Sequence, residues 1–277
     1  MRLKDLALFI IALISVIFLF FPFFWVLSDV VVKGIQPILN QGFNFLISPP
    51  PFTNEGLGGI GTVLEGTLIL VVVAGSISIP LGLMTGVFLG FYPNNIISKI
   101  TQQLVESIVE FPTVVIGISV FGVLILDFGF KISVVTGSVA LAIIMLPYII
   151  MQISDSIYIP RQILEETLFS LGFSRSRTVL SIISASRRGI LTGILLGLAK
   201  GFGESAALLF TVATSFNLYF SGLGNPVSAI PVLIYFYAQS PYSNWQEVAW
   251  GASLVLAIIV LSIFVISRLL IRGGLGK

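Results

Sequence analysis

Residues 160–210 read PRQILEETLFSLGFSRSRTVLSIISASRRGILTGILLGLAKGFGESAALLF, and the fold turns on what this stretch becomes. It begins polar and charged, then passes into an apolar run that carries one lysine, Lys200, and one glutamate, Glu204. Leu164, Leu168 and Leu171 fall at i, i+4 and i+7 on one helical face, with Glu165, Glu166 and Ser170 largely off it. Gly172 follows at once, where glycine takes the left-handed conformation that ends a helix at little steric cost. A second short helix is expected over Ser174–Ala185, with Val179, Ile182 and Ile183 apolar and Arg175 and Arg177 charged. The stretch therefore predicts a helix–Gly–helix hairpin between two membrane spans, with apolar undersides on the spans and a polar tip in water.

The rest of the chain fits such a setting. Of 277 residues 56% are hydrophobic and 9% charged, against about 25% charged in a soluble domain, and the mean hydropathy is +1.09. This is the composition of a polytopic membrane protein. The net charge of +2, with no basic patch interleaved with aromatics, gives no reason to expect a nucleic-acid partner. With no cysteine and no histidine, disulfides, thiolate chemistry, histidine metal sites and imidazole acid–base chemistry are all excluded. Met1-Arg2-Leu3-Lys4 precedes an apolar run too long for a signal peptide and without a small-residue cleavage site, so it reads as a retained span.

Six spans are expected, each long enough for a bilayer at about 20 residues. They cover about Leu6–Leu27, Thr62–Phe91, Val105–Leu126, Ile132–Ile153, Gly189–Thr211 and Val248–Leu270. Val30–Gly61 and Ser215–Gln246 read as loops, and Asp127–Lys131 as a tight turn. Pro80 interrupts the second span. Gly82, Gly86 and Gly90 recur at i+4, as do Gly189, Gly193, Gly197 and Gly201. Both series are seams where a neighbouring helix can come close, and they read as packing. Glu106 and Glu110 read as interfacial.

Six spans place both termini on one side, and basic residues choose it. Arg2, Lys4, Lys99, Arg161, Arg175, Arg177, Arg187, Arg188, Arg268, Arg272 and Lys277 fall with the N-terminus, and only Lys33 and Lys131 fall opposite. The termini and the hairpin are thus expected in the cytoplasm. Lys200 and Glu204 are the charges that fall clearly inside the membrane, away from a span's first turns, four residues apart. Buried in hydrocarbon they would be costly, so both should face protein or a watery path. They read either as a gate or pathway pair or as a structural ion pair. The hairpin reads either as a handle for a soluble motor or as a solvated connection. No Gly-x4-Gly-Lys-Ser/Thr phosphate loop occurs, and the glycine-rich run Gly273–Lys277 has no helix after it to offer its N-terminus. If ATP drives this protein, another subunit binds it.

The hairpin resembles the cytoplasmic loop of ABC-importer permeases, whose motif is Glu-Ala-Ala, three residues, then Gly. Glu166, Thr167, Leu168 and Gly172 hold those positions, with Thr167 and Leu168 in place of the alanines. The family's later proline is missing, since no proline occurs between Phe173 and Asn225. Gly189-Ile190-Leu191-Thr192-Gly193, followed by Ala199-Lys200-Gly201-Phe202-Gly203-Glu204-Ser205-Ala206-Ala207-Leu208-Leu209-Phe210-Thr211, is similar to the signature of phosphate permeases of the PstA type. That signature has Ala-Arg, two residues, then Gly-Glu-Thr-Ala-Pro-Leu-Leu-Phe-Thr. Lys200, Ser205 and Ala207 depart from it, and Lys for Arg loses a bidentate fork. Gly58-Gly59-Ile60, Gly66-Thr67-Leu68, Pro80-Leu81-Gly82, Leu146-Pro147, Ile159-Pro160, Ile230–Tyr235 and Ala249–Ala252 extend the likeness from about Gly58 to the end.

The resemblance implies an all-α, six-span type I ABC-importer permease with a cytoplasmic coupling hairpin, in the plasma membrane amid lipid. Residues 1–61 would be an added first span and external loop, and 62–277 the permease domain. It implies phosphate import with a second permease subunit, a cytoplasmic ATPase dimer and an extracellular phosphate-binding protein, no catalysis and no cofactor in this chain. Lys200, Glu204 and Ser205 would lie on the path or gate, and Glu165, Glu166, Thr167, Leu168 and Gly172 would couple to the ATPase. Other readings stay open on the residues alone. They are a permease for sulfate, molybdate or an organic solute, a secondary transporter using Glu204 as a proton carrier, and a membrane scaffold.

Overall fold

The computed structural model describes residues 3–53 and 56–272, with side-chain positions for 9–53 and 56–269. Met1, Arg2 and the run Gly273–Lys277 weighed above lie outside the described residues, as do the side chains of Lys4 and Arg272. All regular structure among the described residues is helical. Five helices are long and apolar enough to cross a membrane, and a sixth crossing arises if a bent helix pair counts as one span. The expected all-α bundle is what forms, but several element boundaries differ, each for a local reason.

Helix α1 runs Leu3–Gln41 and does not stop near Leu27. The loop expected from Val30 begins as helix instead, where Asp29 and Lys33 satisfy each other at 3.1 Å one helical turn apart. Lys33 also sits 4.7 Å from the Trp250 ring centroid. Gly42, at φ +58°, then ends the helix. A single turn, α2, spans Asn44–Ile47 and buries Phe45 completely. Helix α3 covers Gly61–Phe91, as expected.

The third span is not one helix. Helix α4 covers Ile96–Glu110 and α5 covers Thr113–Val120, continuing as a π-turn over Phe121–Asp127. The two pieces meet at 101°. Pro112 has no N–H to continue the ladder and forces Phe111 into extended backbone, ψ 134°.

Helix α6 runs Val134–Ser170, opened by a reciprocal Ser133–Thr136 cap. It joins the expected fourth span and the first hairpin arm into one rod, through Pro147 and Pro160. Helix α7, Arg175–Phe202, likewise joins the second arm to the fifth span. The span stops at Phe202 rather than Thr211. Gly203 is its C-cap, and the chain re-forms only one turn, α8, at Leu208–Thr211. The loop expected over Ser215–Gln246 contains helix α9, Ile230–Ala238, and the start of α10, Ser243–Arg272. Within α9, burial pushes the Tyr237 phenol up to about 12. Its hydroxyl stays a donor, 3.0 Å from the Pro51 carbonyl.

The core is built around α6, which packs on α3 along one side and α7 along another. Gly82, Gly86 and Gly90 of α3 lie against Ile149, Ile153 and Ile157. From the other side Gly201 and Gly197 lie against Met145 and Ile149, Gly193 against Gln152 and Ile153, and Gly189 against Ser156. Ile149, Ile153 and Ile157 are fully buried. The two seams are thus opposite jaws on one helix.

The non-helical stretch after α8 is sewn to the first turns of α3. The Thr62 hydroxyl donates to the Phe216 carbonyl. Glu65 Oε2 accepts from the Phe220 N–H at 3.3 Å. Thr67 Oγ1 accepts from the Ile230 N–H at 2.8 Å while donating to the Val63 carbonyl at 2.7 Å.

Candidate functional site

Lys200 stands in the last turn of α7, and Glu204 stands just past its end. The expected fifth span, Gly189–Thr211, held both within one helix, and the stop at Gly203 corrects this. The chain turns there, with the Glu204 N–H donating to the Gly201 carbonyl at 3.4 Å. The Glu204 side chain folds back to meet Lys200, whose Nζ donates to Oε2 at 3.0 Å. Oε1 accepts from the Ala207 N–H at 3.4 Å. The lysine is also where the helix dipole favours a cation. The order Lys-then-Glu therefore carries no penalty, because the pair spans a helix end.

Burial is unequal. Side-chain exposure is 4% for Glu204 and 33% for Lys200. The carboxylate is a fixed, enclosed acceptor, and the ammonium keeps an open side. That side faces a cavity of about 420 Å³ lined by Tyr148, Leu196, Ala199, Lys200, Gly203 and Phe264. A cation with spare donors in a largely apolar cavity can hold an anion while its own carboxylate partner offsets the charge. Ser205 is part-buried, and its carbonyl accepts from the Leu209 N–H to start α8. Helix α5 presses on the same turn, since a Cβ at Gly117 would lie 2.6 Å from the Ala207 backbone.

At the other end of α7 lies the hairpin. Gly172 has φ +80°. The Phe173 N–H donates to the Leu168 carbonyl at 3.0 Å and the Gly172 N–H to that of Phe169 at 3.0 Å, the double closure of a Schellman turn. Leu164 and Leu168 rest on the core, as do Val179 and Ile183, and Ile182 is fully buried. Leu171 does not join that face and is 69% exposed. The expected polar tip is mixed, with Ser170, Ser174 and Arg175 exposed beside Phe169, Leu171 and Phe173. Glu165 pairs with Arg161 at 2.7 Å, while Glu166 and Thr167 are exposed.

No family model matches the chain. Individual relatives do. It is 36% identical over 255 residues to the "probable phosphate transport system permease protein PstA" of Methanocaldococcus jannaschii, covering 92% of this chain and 89% of that protein. It is 30% identical over 271 residues to the phosphate transport system permease protein PstA of Yersinia pestis, covering 97% and 90%. The chain belongs to the PstA permease family.

In this PstA-family permease the sequence-selected residues form two groups. Lys200, Glu204 and Ser205 come together where α7 ends, and Glu165, Glu166, Thr167, Leu168 and Gly172 gather at the hairpin. Helix α7 joins the two groups directly, a rise of about 40 Å over 28 residues. Sequence reasoning missed Tyr148 and Phe264, which share the cavity with Lys200. Tyr148 directly follows the Leu146-Pro147 pair, and a tyrosine within an apolar span was the available signal. Glu65 was also missed, although it is a carboxylate one turn into the second span.

Proposed function

We propose that this chain imports phosphate as the permease subunit of an ATP-driven transporter, with Lys200 and Glu204 on the translocation path. The PstA relatives support the substrate and the class, and ATP hydrolysis belongs to a separate subunit. The observation that carries the mechanism is the hairpin. Two helices that reach past bilayer thickness are locked by one left-handed glycine and end in exposed Phe169, Leu171 and Phe173. Exposed apolar side chains clustered beyond the membrane suit a protein partner, and an ATPase dimer is the partner this assembly needs. A second permease would cover the open side of Lys200, which lipid cannot serve. An extracellular binding protein would deliver phosphate at the opposite end.

The test of coupling is Gly172→Val. No atom crowds a Cβ there, but a β-branched residue at φ +80° is strained. The spans should insert at normal abundance, while ATPase binding weakens and uptake falls at least tenfold. Wild-type uptake and ATP turnover in that variant would remove the hairpin from the mechanism.

Orientation is tested with thiols, since the chain has no cysteine. Ser174→Cys beside the hairpin and Gly224→Cys at the other end are both exposed sites. An impermeant reagent on intact cells should label only Gly224→Cys. Labelling at position 174 would invert the topology.

A further inference from the structure

Two close contacts between α6 and α7 bracket a pair of polar side chains. A Cβ at Gly197 would lie 2.4 Å from Cγ1 of Ile149, and one at Gly201 would lie 2.8 Å from Sδ of Met145. Lys200 falls between those glycines on α7, and Tyr148 falls between Met145 and Ile149 on α6. The packed contacts therefore hold Tyr148 and Lys200 at one depth in the span, on neighbouring helices. Both line the cavity of about 420 Å³, whose other walls, Leu196, Ala199, Gly203 and Phe264, carry no polar side chain.

Tyr148 is part-buried, and among the described residues its hydroxyl makes no hydrogen bond. The buried Tyr237, by contrast, donates to the Pro51 carbonyl at 3.0 Å. Orphan hydroxyls that are sealed away belong to Ser78, Ser98, Thr178 and Ser186; that of Tyr148 is orphaned but open. An unpaired hydroxyl among apolar walls carries a cost that a polar guest relieves. Lys200 commits one donor to Glu204 Oε2 at 3.0 Å, and Glu204 Oε1 is engaged by the Ala207 N–H. What the side chains offer the cavity is thus the remaining ammonium protons and one phenol.

We propose that Tyr148 is a phosphate ligand of the Lys200 cavity, its hydroxyl donating to the anion from α6 while the ammonium holds it from α7. The proposal rests on the phosphate reading above. An ammonium is a point charge with little directional demand. A phenol on the next helix adds a second, directional bond without a second charge, so the anion is held and can still leave. The apolar walls strengthen both bonds by keeping bulk water away. The volume admits an oxyanion together with several waters, each of which claims about 30 Å³.

In the cysteine-free chain, Leu196→Cys places a part-buried thiol in the cavity wall, and Gly224→Cys is the exposed reference at the far end. Each is assembled with its partner subunits, solubilised, and treated with an anionic thiosulfonate while inorganic phosphate is titrated at constant ionic strength. Phosphate should slow modification at 196 and leave 224 unchanged. On the Leu196→Cys background, Tyr148→Phe should raise the phosphate concentration for half-protection at least about tenfold, as expected for one hydrogen bond to a charged ligand. The same variant should melt at or above the temperature of its parent, because it keeps the ring and loses a hydroxyl that bonds nothing in the protein. A tyrosine with a merely structural role would give the reverse, lower melting with unshifted protection, and that result overturns the proposal. So does a thiol at 196 that stays unreactive or that phosphate does not shield. Uptake by the parent chain is measured alongside. If the parent transports no phosphate, the functional reading fails first; if it transports while Tyr148→Phe is protected like its parent, only the assignment of Tyr148 is wrong.

Discussion

Replacing Lys200 with alanine is expected to abolish phosphate uptake and to lower the amount of folded permease. Glu204 is 4% exposed and keeps only the long Ala207 N–H contact once the lysine is gone. Removing one partner of a buried pair costs about 3–5 kcal/mol. The lower end applies here, because the lysine is itself one-third exposed. The double variant Lys200→Ala with Glu204→Ala should recover the membrane level, since no charge is left stranded, but not the uptake. Lys200→Arg should transport. The measurement is labelled-phosphate uptake normalised to membrane-inserted protein. If the double variant transports at the wild-type rate, the pair is structural and the path runs elsewhere.

The second large effect belongs to the glycine jaws. A Cβ at Gly197 would lie 2.4 Å from Cγ1 of Ile149, and that isoleucine has no retreat, because a Cβ on its other side at Gly82 would already lie 2.6 Å from Cγ2. Overpacking a tight core costs about 1–3 kcal/mol, and a leucine driven into an isoleucine held from both sides should reach or exceed the upper bound. Gly197→Leu should therefore lose most of its folded population and lower the detergent-solubilised melting temperature by several degrees. Gly75→Ala is the comparator. Its neighbours would be at 3.4 and 3.5 Å, ordinary contact, and it should melt like the parent. Equal melting of Gly197→Leu and the parent would show that the jaws are loose.

Much of this architecture is legible in the residues, and the exceptions have local causes. The apolar runs, both glycine seams, the turn at Gly172 and the closeness of Lys200 to Glu204 follow from spacing. Element ends do not. The stretch from Val30 looks like a loop until Asp29 and Lys33 pair across one turn and the lysine finds Trp250. Glu204 looks helical until Gly203 ends α7 one residue earlier. Leu171 looks like a core leucine by period, but it sits at the C-cap, where the chain has already begun to turn away. Caps and short-range pairs decide most of these cases, with one tertiary contact at Trp250, and periodicity carries no information about either.

The stitches between α3 and the segment after α8 have a consequence for biogenesis. Thr67 meets the Ile230 N–H across 163 residues of chain. At a synthesis rate of about 5–20 residues per second, α3 waits roughly 8–33 s in the membrane before that partner exists. Through the interval the Thr67 hydroxyl is already satisfied by the Val63 carbonyl of its own helix, and only a lone pair awaits its donor. Thr62, in the first turn, has no such carbonyl one turn before it within α3, and its partner Phe216 is 154 residues away. The nascent permease should therefore dwell with the start of α3 at the lipid–water boundary, where water can serve Thr62, until the last third of the chain arrives to draw it in.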